Sequence, residues 1–442
     1  MAFKVDHQTI SDLKIIGGAR EKDIYGLFNR TKTRGGARIL KDMFMYPRSR
    51  EEEIMNRVNI ISYFKEKEIE FPFESSGFDT IEHYLGNTDE RTRLMEHDDN
   101  LKRKFNNAIG GDTEYQQINK GVISTLVFLY DLKEFLSSLD SNGATAEINK
   151  DVIAIKKVLD IPELEFVNGL EKRTTKLSYA KTAKYDKLLR FEINKQVQKL
   201  LYHVFDFDVY IAVAEVANQH KFSFAEIEQT DGNLIQLNEV YHPLVPNAIP
   251  NTIHIDQNNN MIFLTGANMA GKSTFMKTFS IAIYLAHMGF PVPAKSMRFS
   301  IQNGMFTTIN LADNLNLGFS HFYSEVNRVR KVAESVNQNE RLVVLFDELF
   351  RGTNVKDAYD ATVAVMDAFA TKRNCTFVIS THIIEAGEEL KKMRDNIKFM
   401  YLPTVMKDNL PQYTYQIEEG ITEDRHGMII INNEKILDIL KE

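Results

Sequence analysis

Two kinds of hydrophobic spacing divide this chain. In the first half, apolar residues recur three and four apart, which places them on one face of a helix. Ile39, Leu40, Met43 and Phe44 form such a stripe from Ala37 to Phe44, and Pro47 ends it. Ser49-Arg50-Glu51-Glu52 has a capping-box shape and opens a helix carrying Ile54, Val58, Ile61 and Tyr63. The polar stretch from Asn106 to Gln117 predicts a loop. Val122, Leu126, Leu129, Leu132, Phe135 and Leu136 predict the next helix, stopped by Asp140-Ser141-Asn142-Gly143. Val152, Ile155 and Leu159 suggest another. Leu189, Ile193, Val197, Leu200 and Val204 start the longest late pattern, which runs on through Val209, Val213 and Val216. No fixed-period repeat or low-complexity segment interrupts it. Residues 1–230 therefore read as one helical body.

Near Gln229-Thr230-Asp231-Gly232-Asn233 the spacing changes. Short apolar runs at strand length follow: Leu234 to Leu237, Met261 to Leu264, Leu342 to Phe346 and Phe377 to Ser380. Helical patterns lie between them, as in βαβ units. The expected fold class is α plus α/β, with a helical domain over 1–230 and a mostly parallel sheet domain over 231–442.

Composition adds limits. A length of 442 residues with 43% hydrophobic and 26% charged residues is ordinary for a globular protein of two or three domains. Cys375 is the single cysteine, so no internal disulfide can form, and a reducing cytoplasm is the expected compartment. The start, MAFKVDHQTI, lacks the apolar core of a signal peptide, and no run reaches membrane-spanning length, so no membrane role is expected. A net charge of −7 excludes a protein that is basic all over and leaves room for a local basic surface. One stretch offers it: Lys172, Arg173, Lys176, Lys181, Lys184, Lys187 and Arg190 face only Asp186, with Tyr179 and Tyr185 interleaved. Such a surface could grip a phosphate backbone with aromatic help, although charge runs are usually just solvated faces.

The most informative chemistry is Gly266-Ala267-Asn268-Met269-Ala270-Gly271-Lys272-Ser273, followed by Thr274. It fits the phosphate-loop pattern between a strand and a helix. Glycines let backbone wrap the phosphates, and free N–H groups at the helix start attract anions. Lys272 would reach the outer phosphates of ATP and Ser273 would hold Mg²⁺. The run Leu342-Val343-Val344-Leu345-Phe346-Asp347-Glu348 is a buried strand ending in two carboxylates. Taken alone that is common. Paired with the loop, and placed beside its strand in a parallel sheet, Asp347 would hold Mg²⁺ and Glu348 would orient and deprotonate the attacking water. His382, in Ile379-Ser380-Thr381-His382, is a candidate contact to the γ-phosphate or that water.

These residues also carry a family resemblance. The nine residues from Gly266 to Thr274, with Asn-Met inside the glycine frame, resemble the phosphate loop of the MutS family of mismatch-repair ATPases. Asp347-Glu348-Leu349-Phe350-Arg351-Gly352-Thr353 is similar to its Asp-Glu-x-x-Arg-Gly-Thr, and Thr381-His382 to its Thr-His switch. Tyr241-His242-Pro243-Leu244-Val245, Met305-Phe306-Thr307 through Ala312-Asp313-Asn314-Leu315, and Ser320-His321-Phe322-Tyr323-Ser324-Glu325 resemble further segments of its ATPase domain. Leu27 to Arg38 and Phe207-Asp208-Val209 to Ala217 resemble the outgoing and returning helices of its core.

The resemblance implies a helical core or lever domain followed by an ABC-like ATPase domain, which dimerises around two nucleotides and couples their state to DNA. It implies that Ser320 faces the γ-phosphate of the partner subunit and that Asp357 lies in a loop crossing the dimer interface. It also implies differences. The chain is expected to be a short form without the mismatch-reading and connector domains or the C-terminal dimerising helices, with a clamp reduced or absent around 163–190. The adenine-stacking Phe of the family is replaced near Ala248-Ile249. Two functions are compatible with this pattern: a homodimeric ATPase that binds mismatched, branched or recombination DNA by shape and backbone, or an ATP-driven clamp on RNA, ribosomal or protein particles.

Overall fold

Three of the apolar runs after residue 230, at Met261–Gly266, Leu342–Phe346 and Thr376–Ser380, become strands buried from end to end, while Leu234–Val240 alternates between buried and half-buried positions. This computed structural model describes residues 3–18, 21–95, 113–141, 145–169, 176–230, 232–309, 321–338, 340–407, 410–422 and 439. By compactness it forms two units, one made of Met1–Phe28, Met43–Val58 and Gln219–Glu442, the other of Asn29–Asp42 and Asn59–Asn218.

Helices come first along the chain. The short α1 (His7–Asp12) and α2 (Ile24–Phe28) precede α3 (Arg34–Met45) and α4 (Glu51–Lys67). Then come α5 (Ser76–Gly86), α6 (Thr113–Ser141), α7 (Ala146–Leu159), α8 (Tyr179–Asp186) and α9 (Asn194–His220), the last preceded by a π-helical stretch, Lys187–Glu192. The expected loop over Asn106–Gln117 needs correction. Residues 106–112 lie outside the described residues, and α6 already begins at Thr113. Its first turn is polar because most of it faces solvent, which the sequence pattern cannot distinguish from a loop.

In the smaller unit α3 runs tightly against α9. A Cβ on Gly35 would lie 2.3 Å from the Phe205 ring, and one on Gly36 2.4 Å from the Asp208 carboxylate. Buried Asp208 accepts the N–H groups of Lys32 at 2.9 Å and Thr33 at 2.8 Å, capping the start of α3 where negative charge is favoured.

The larger unit holds the sheets. A four-stranded sheet has the order β1 (Ala225–Ile227), β5 (Ser296–Phe299), β2 (Leu234–Val240), β3 (Asn251–Asp256), with only the β1–β5 pair parallel. The main sheet has the order β12-β9-β4-β8-β7-β6. Its strands are β4 (Met261–Gly266), β6 (Gly304–Thr308), β7 (Leu342–Phe346), β8 (Thr376–Ser380), β9 (Ile397–Leu402) and β12 (Glu418–Glu419). All neighbours are parallel except β12, and a hairpin of β10 (Thr404–Lys407) and β11 (Leu410–Tyr413) stands apart.

Helices α10 (Lys272–His287), α11 (His321–Val336), α12 (Val355–Ala370) and α13 (Ile384–Met393) connect the strands. Helix α10 is apolar nearly all round, and so is buried nearly all round. Val332 of α11 and Met366 and Phe369 of α12 pack with Val344, Phe346 and Phe377 of the sheet into one core. No described helix is long and apolar enough to cross a membrane.

Candidate active site

The loop between β4 and α10 turns where its glycines stand. Gly266 has φ of 145° and Gly271 of 102°, a region that side chains rarely enter. A Cβ on Gly266 would also lie 3.1 Å from the Leu402 carbonyl oxygen. Lys272 opens α10, and its ammonium donates to the carbonyls of Gly266 at 2.9 Å and Ala267 at 3.2 Å. Burial draws its pKa below the ordinary lysine value, against the opposing pull of Asp347 and Glu348. The Ser273 hydroxyl donates to Asp347.

The sequence pattern lets β7 lie beside β4; in the structure β8 separates them. Asp347 still meets the loop because the three strands end nearly level, with Leu264 opposite Ser380 and Phe346 opposite Ile379. Ser380 fills the gap. Its hydroxyl donates to the second oxygen of Asp347 and accepts the Glu348 N–H at 3.0 Å. Motif reading passes over Ser380, whose only signal is its place before Thr381-His382 at the end of an apolar strand.

Beyond Asp347 the chain reverses through two non-glycine residues in the left-handed region, Glu348 at φ 53° and Phe350 at φ 61°. Glu348 Oε1 lies 2.8 Å from His382 Nε2, and Oε2 accepts from Arg351 Nη1 at 2.5 Å. Burial pushes the Glu348 pKa up, but the hydrogen bond and charge of His382, with Arg351, outweigh it and hold the carboxyl below its ordinary value. The ionised carboxylate is an acceptor only, so Nε2 carries the proton facing it.

A cavity of about 340 Å³ opens beside the loop, lined among others by His242, Val245, Pro246, Ile249, Thr274 and Tyr415. The Tyr415 ring approaches Gly271, where a Cβ would lie 3.1 Å from its Cδ1. His242 stays neutral, drawn down to about 4 by burial and by nearby Lys277. Its wall is mixed: Val245, Pro246, Ile249, Phe275 and Tyr415 supply apolar and aromatic surface, and Asn247, Asn251, Thr274 and Thr278 supply polar groups.

Other expected residues fall elsewhere. Asp357 sits in the first turn of α12 with Asn354 as its partner: its N–H donates to Asn354 Oδ1 at 3.0 Å, and its carboxylate accepts from Nδ2 at 2.5 Å. Ser320, Lys172, Arg173 and the 312–315 segment lie outside the described residues. Lys176, Lys181, Lys184 and Lys187 are exposed, with Lys187 paired to Glu192 at 3.1 Å. Arg190 must be removed from that surface. Its side chain is 1% exposed and donates to Asp186 at 2.5 and 2.7 Å, because a guanidinium inside the fold needs a buried counter-charge. The two tyrosines turn inward to rings, Tyr179 stacking on Tyr115 at 5.3 Å and Tyr185 tilting against Phe166 at 5.1 Å.

The family described as MutS domain V matches residues 262–438, which contain the loop from β4 onward, Asp347, Glu348 and His382. Similarity to curated proteins reaches further upstream. The chain is 26% identical over 412 residues to the DNA mismatch repair protein MutS of Persephonella marina, covering 83% of this chain and 46% of that one. Residues 262–438 thus match MutS domain V, and the similarity to MutS proteins runs over most of the chain. The MutS of Acetivibrio thermocellus is 28% identical over 358 residues, 79% of this chain and 38% of its own length. That of Lysinibacillus sphaericus is 26% identical over 243 residues, 54% and 28%. The chain thus spans less than half the length of these MutS relatives.

Proposed function

We propose that this chain is a MutS-type, Mg²⁺-dependent ATPase that binds DNA as a homodimer and couples nucleotide state to that binding. The reading is carried by the shared contact of Ser273 and Ser380 on Asp347, next to a lysine held at the loop. A hydroxyl and a carboxylate side by side are hard oxygen donors that fit Mg²⁺ shared with phosphates. Gly266 to Thr274 would wrap the phosphates, with Lys272 moving from the loop carbonyls to the outer phosphates. Bound Mg²⁺ would neutralise charge developing on the phosphoryl oxygens. Glu348 would orient the attacking water, a part its lowered pKa suits better than strong proton abstraction. His382 would hold Glu348 in register. The nucleobase would sit in the cavity bounded by Tyr415 and Ile249.

The finer organisation is part of the same proposal: a helical core or lever domain within 1–230, whose segments Met1–Phe28 and Met43–Val58 fold with the larger unit, an ABC-like ATPase domain over 231–442, and Ser320 and Asp357 acting across the dimer. DNA contact falls to the exposed Lys176, Lys181, Lys184 and Lys187, and the compartment is the cytoplasm. A filter-binding panel with duplex, mismatched and junction DNA, with and without ATP, tests it. Salt-sensitive, ATP-responsive binding to at least one DNA is expected. Binding to none of them, with co-purification on ribosomes, would instead support the RNA or ribosome clamp.

A further inference from the structure

The main sheet ends at β6, an edge strand whose outer backbone groups need partners. The chain's own first described residues supply them. The Lys4 N–H donates to the Asn303 carbonyl, and the Met305 N–H donates to the Lys4 carbonyl, each at 2.8 Å. This approach requires glycine at 304, where a Cβ would lie 2.6 Å from the Lys4 oxygen. Further along, the Thr307 N–H donates to Thr9 Oγ1 at 3.0 Å. Asp12 Oδ2 accepts both the Thr307 hydroxyl at 2.8 Å and the Ile309 N–H at 2.9 Å. Thr9, Asp12 and Thr307 are each no more than 2% exposed.

Arg328 of α11 closes the arrangement. Its Nη2 donates to the Thr307 carbonyl at 2.7 Å, its Nε donates to Thr308 Oγ1 at 3.1 Å, and its Nη1 pairs with Asp6. Asp6 in turn accepts the Thr9 N–H at 3.0 Å and the Thr9 hydroxyl at 2.8 Å. Successive residues of a strand turn their backbone groups to opposite neighbours. Thr307 and Ile309 face this first turn, while Thr308 faces β7 and its carbonyl accepts the Asp347 N–H at 2.9 Å. Burial lowers the Lys277 pKa, and the charges of Asp12 and Asp347 both oppose it. A continuous path of hydrogen bonds thus joins Asp6 and Arg328 to the backbone of the carboxylate that holds Mg²⁺ in the proposed function.

We infer that the segment from Asp6 to Asp12 is a positioning element of the ATPase centre, with Arg328 as its clasp. It rests on the ATPase reading and adds residues that touch neither nucleotide nor metal. They act by fixing the end of β6 and, through Thr308, the placement of Asp347.

The test uses the full chain with Arg328→Met, the milder Arg328→Lys, and Asp12→Ala beside Asp12→Asn. Binding of a fluorescent ATP analogue is titrated with Mg²⁺, and steady-state turnover and amide hydrogen exchange are followed in parallel. Arg328→Met and Asp12→Ala should raise the Mg²⁺ midpoint about five- to tenfold, the scale of one lost charge-assisted hydrogen bond. Arg328→Lys should shift it less, and Asp12→Asn, which keeps an acceptor, should restore it to within about twofold. Analogue binding in EDTA should not change, and the amides of Ile309 and Asp347 should exchange faster. A merely structural loss would reduce the active fraction and leave the midpoint in place. If Arg328→Met or Asp12→Ala does not fold, Arg328→Lys decides by the same midpoint. Wild-type protein without Mg²⁺-dependent turnover would sink the ATPase reading itself. Wild-type protein that turns over beside folded variants with unmoved midpoints overturns the clasp alone.

Discussion

Two arginine–carboxylate groups in this molecule use the same chemistry to opposite ends. In the smaller unit, Arg190 and Asp186 are 1% and 0% exposed. Every guanidinium N–H is used, on Asp186, the Asn87 carbonyl, and the Thr92 hydroxyl and carbonyl. Tyr84 adds a hydrogen bond to Asp186 at 3.0 Å and its ring stands 5.4 Å from the guanidinium. In the larger unit, Arg351 is 73% exposed over a Glu348 that is 25% exposed, and His382 completes the group at 41%. The first cluster is closed and complete. The second is open to solvent, and its carboxylate is held ionised where a water can reach it. Saturation with partners, rather than the presence of charge, separates a structural cluster from a candidate site.

That contrast can be broken at either end. The largest effect is expected from Arg190→Met, which leaves Asp186 buried without its counter-charge. Unfolding free energy should fall by about 3–5 kcal/mol, read by urea denaturation, while nucleotide affinity of the folded fraction stays as it was. A variant as stable as wild type would mean that the buried pair is not holding its unit together. Next, Glu348→Gln should lower kcat by about 10²–10⁴ and leave ATP binding intact, because it removes the water-orienting charge and spares the phosphate contacts. Unchanged turnover would exclude Glu348 from the mechanism.

The smallest effect lies in the pH profile. Glu348 has a folded pKa below the ordinary 4.5, so its ionised form persists to lower pH and activity is lost only as pH falls through that depressed value. His382→Ala removes the strongest opposition to burial, so the acid limb of kcat/KM should move upward. A limb that does not move would uncouple His382 from Glu348.

The sequence carries some of this plainly. Strands β4, β7 and β8 are buried on both faces, so they read as unbroken apolar runs that periodicity detects. The glycines of the loop are legible because Gly266 at φ 145° and Gly271 at φ 102° take angles that side chains rarely adopt, whereas the left-handed turn at Met269, φ 69°, leaves no such signal. Strand β6 is not, since Gly304 and its threonines suit a surface as well as a sheet, and β9 mixes Lys398 among apolar residues. Strand order is also hidden: nothing in the composition of Leu342–Phe346 says that Thr376–Ser380 inserts beside it. Ser380 therefore gains its role only in three dimensions. The same holds for Thr9 and Asp12, whose partners at Thr307 and Ile309 lie 298 and 297 residues further along the chain with no local pattern linking them. Lys176 and Arg190 look alike in sequence, and only packing shows that one is exposed and the other is buried.

The reversal after Asp347 has a further consequence. Glu348 and Phe350 hold backbone angles that cost roughly 1–2 kcal/mol each for residues with a side chain, and glycine would relieve both. Under the proposed function, Glu348→Gly would therefore relieve strain and remove the water-orienting carboxylate together, so stability and turnover would move in opposite directions.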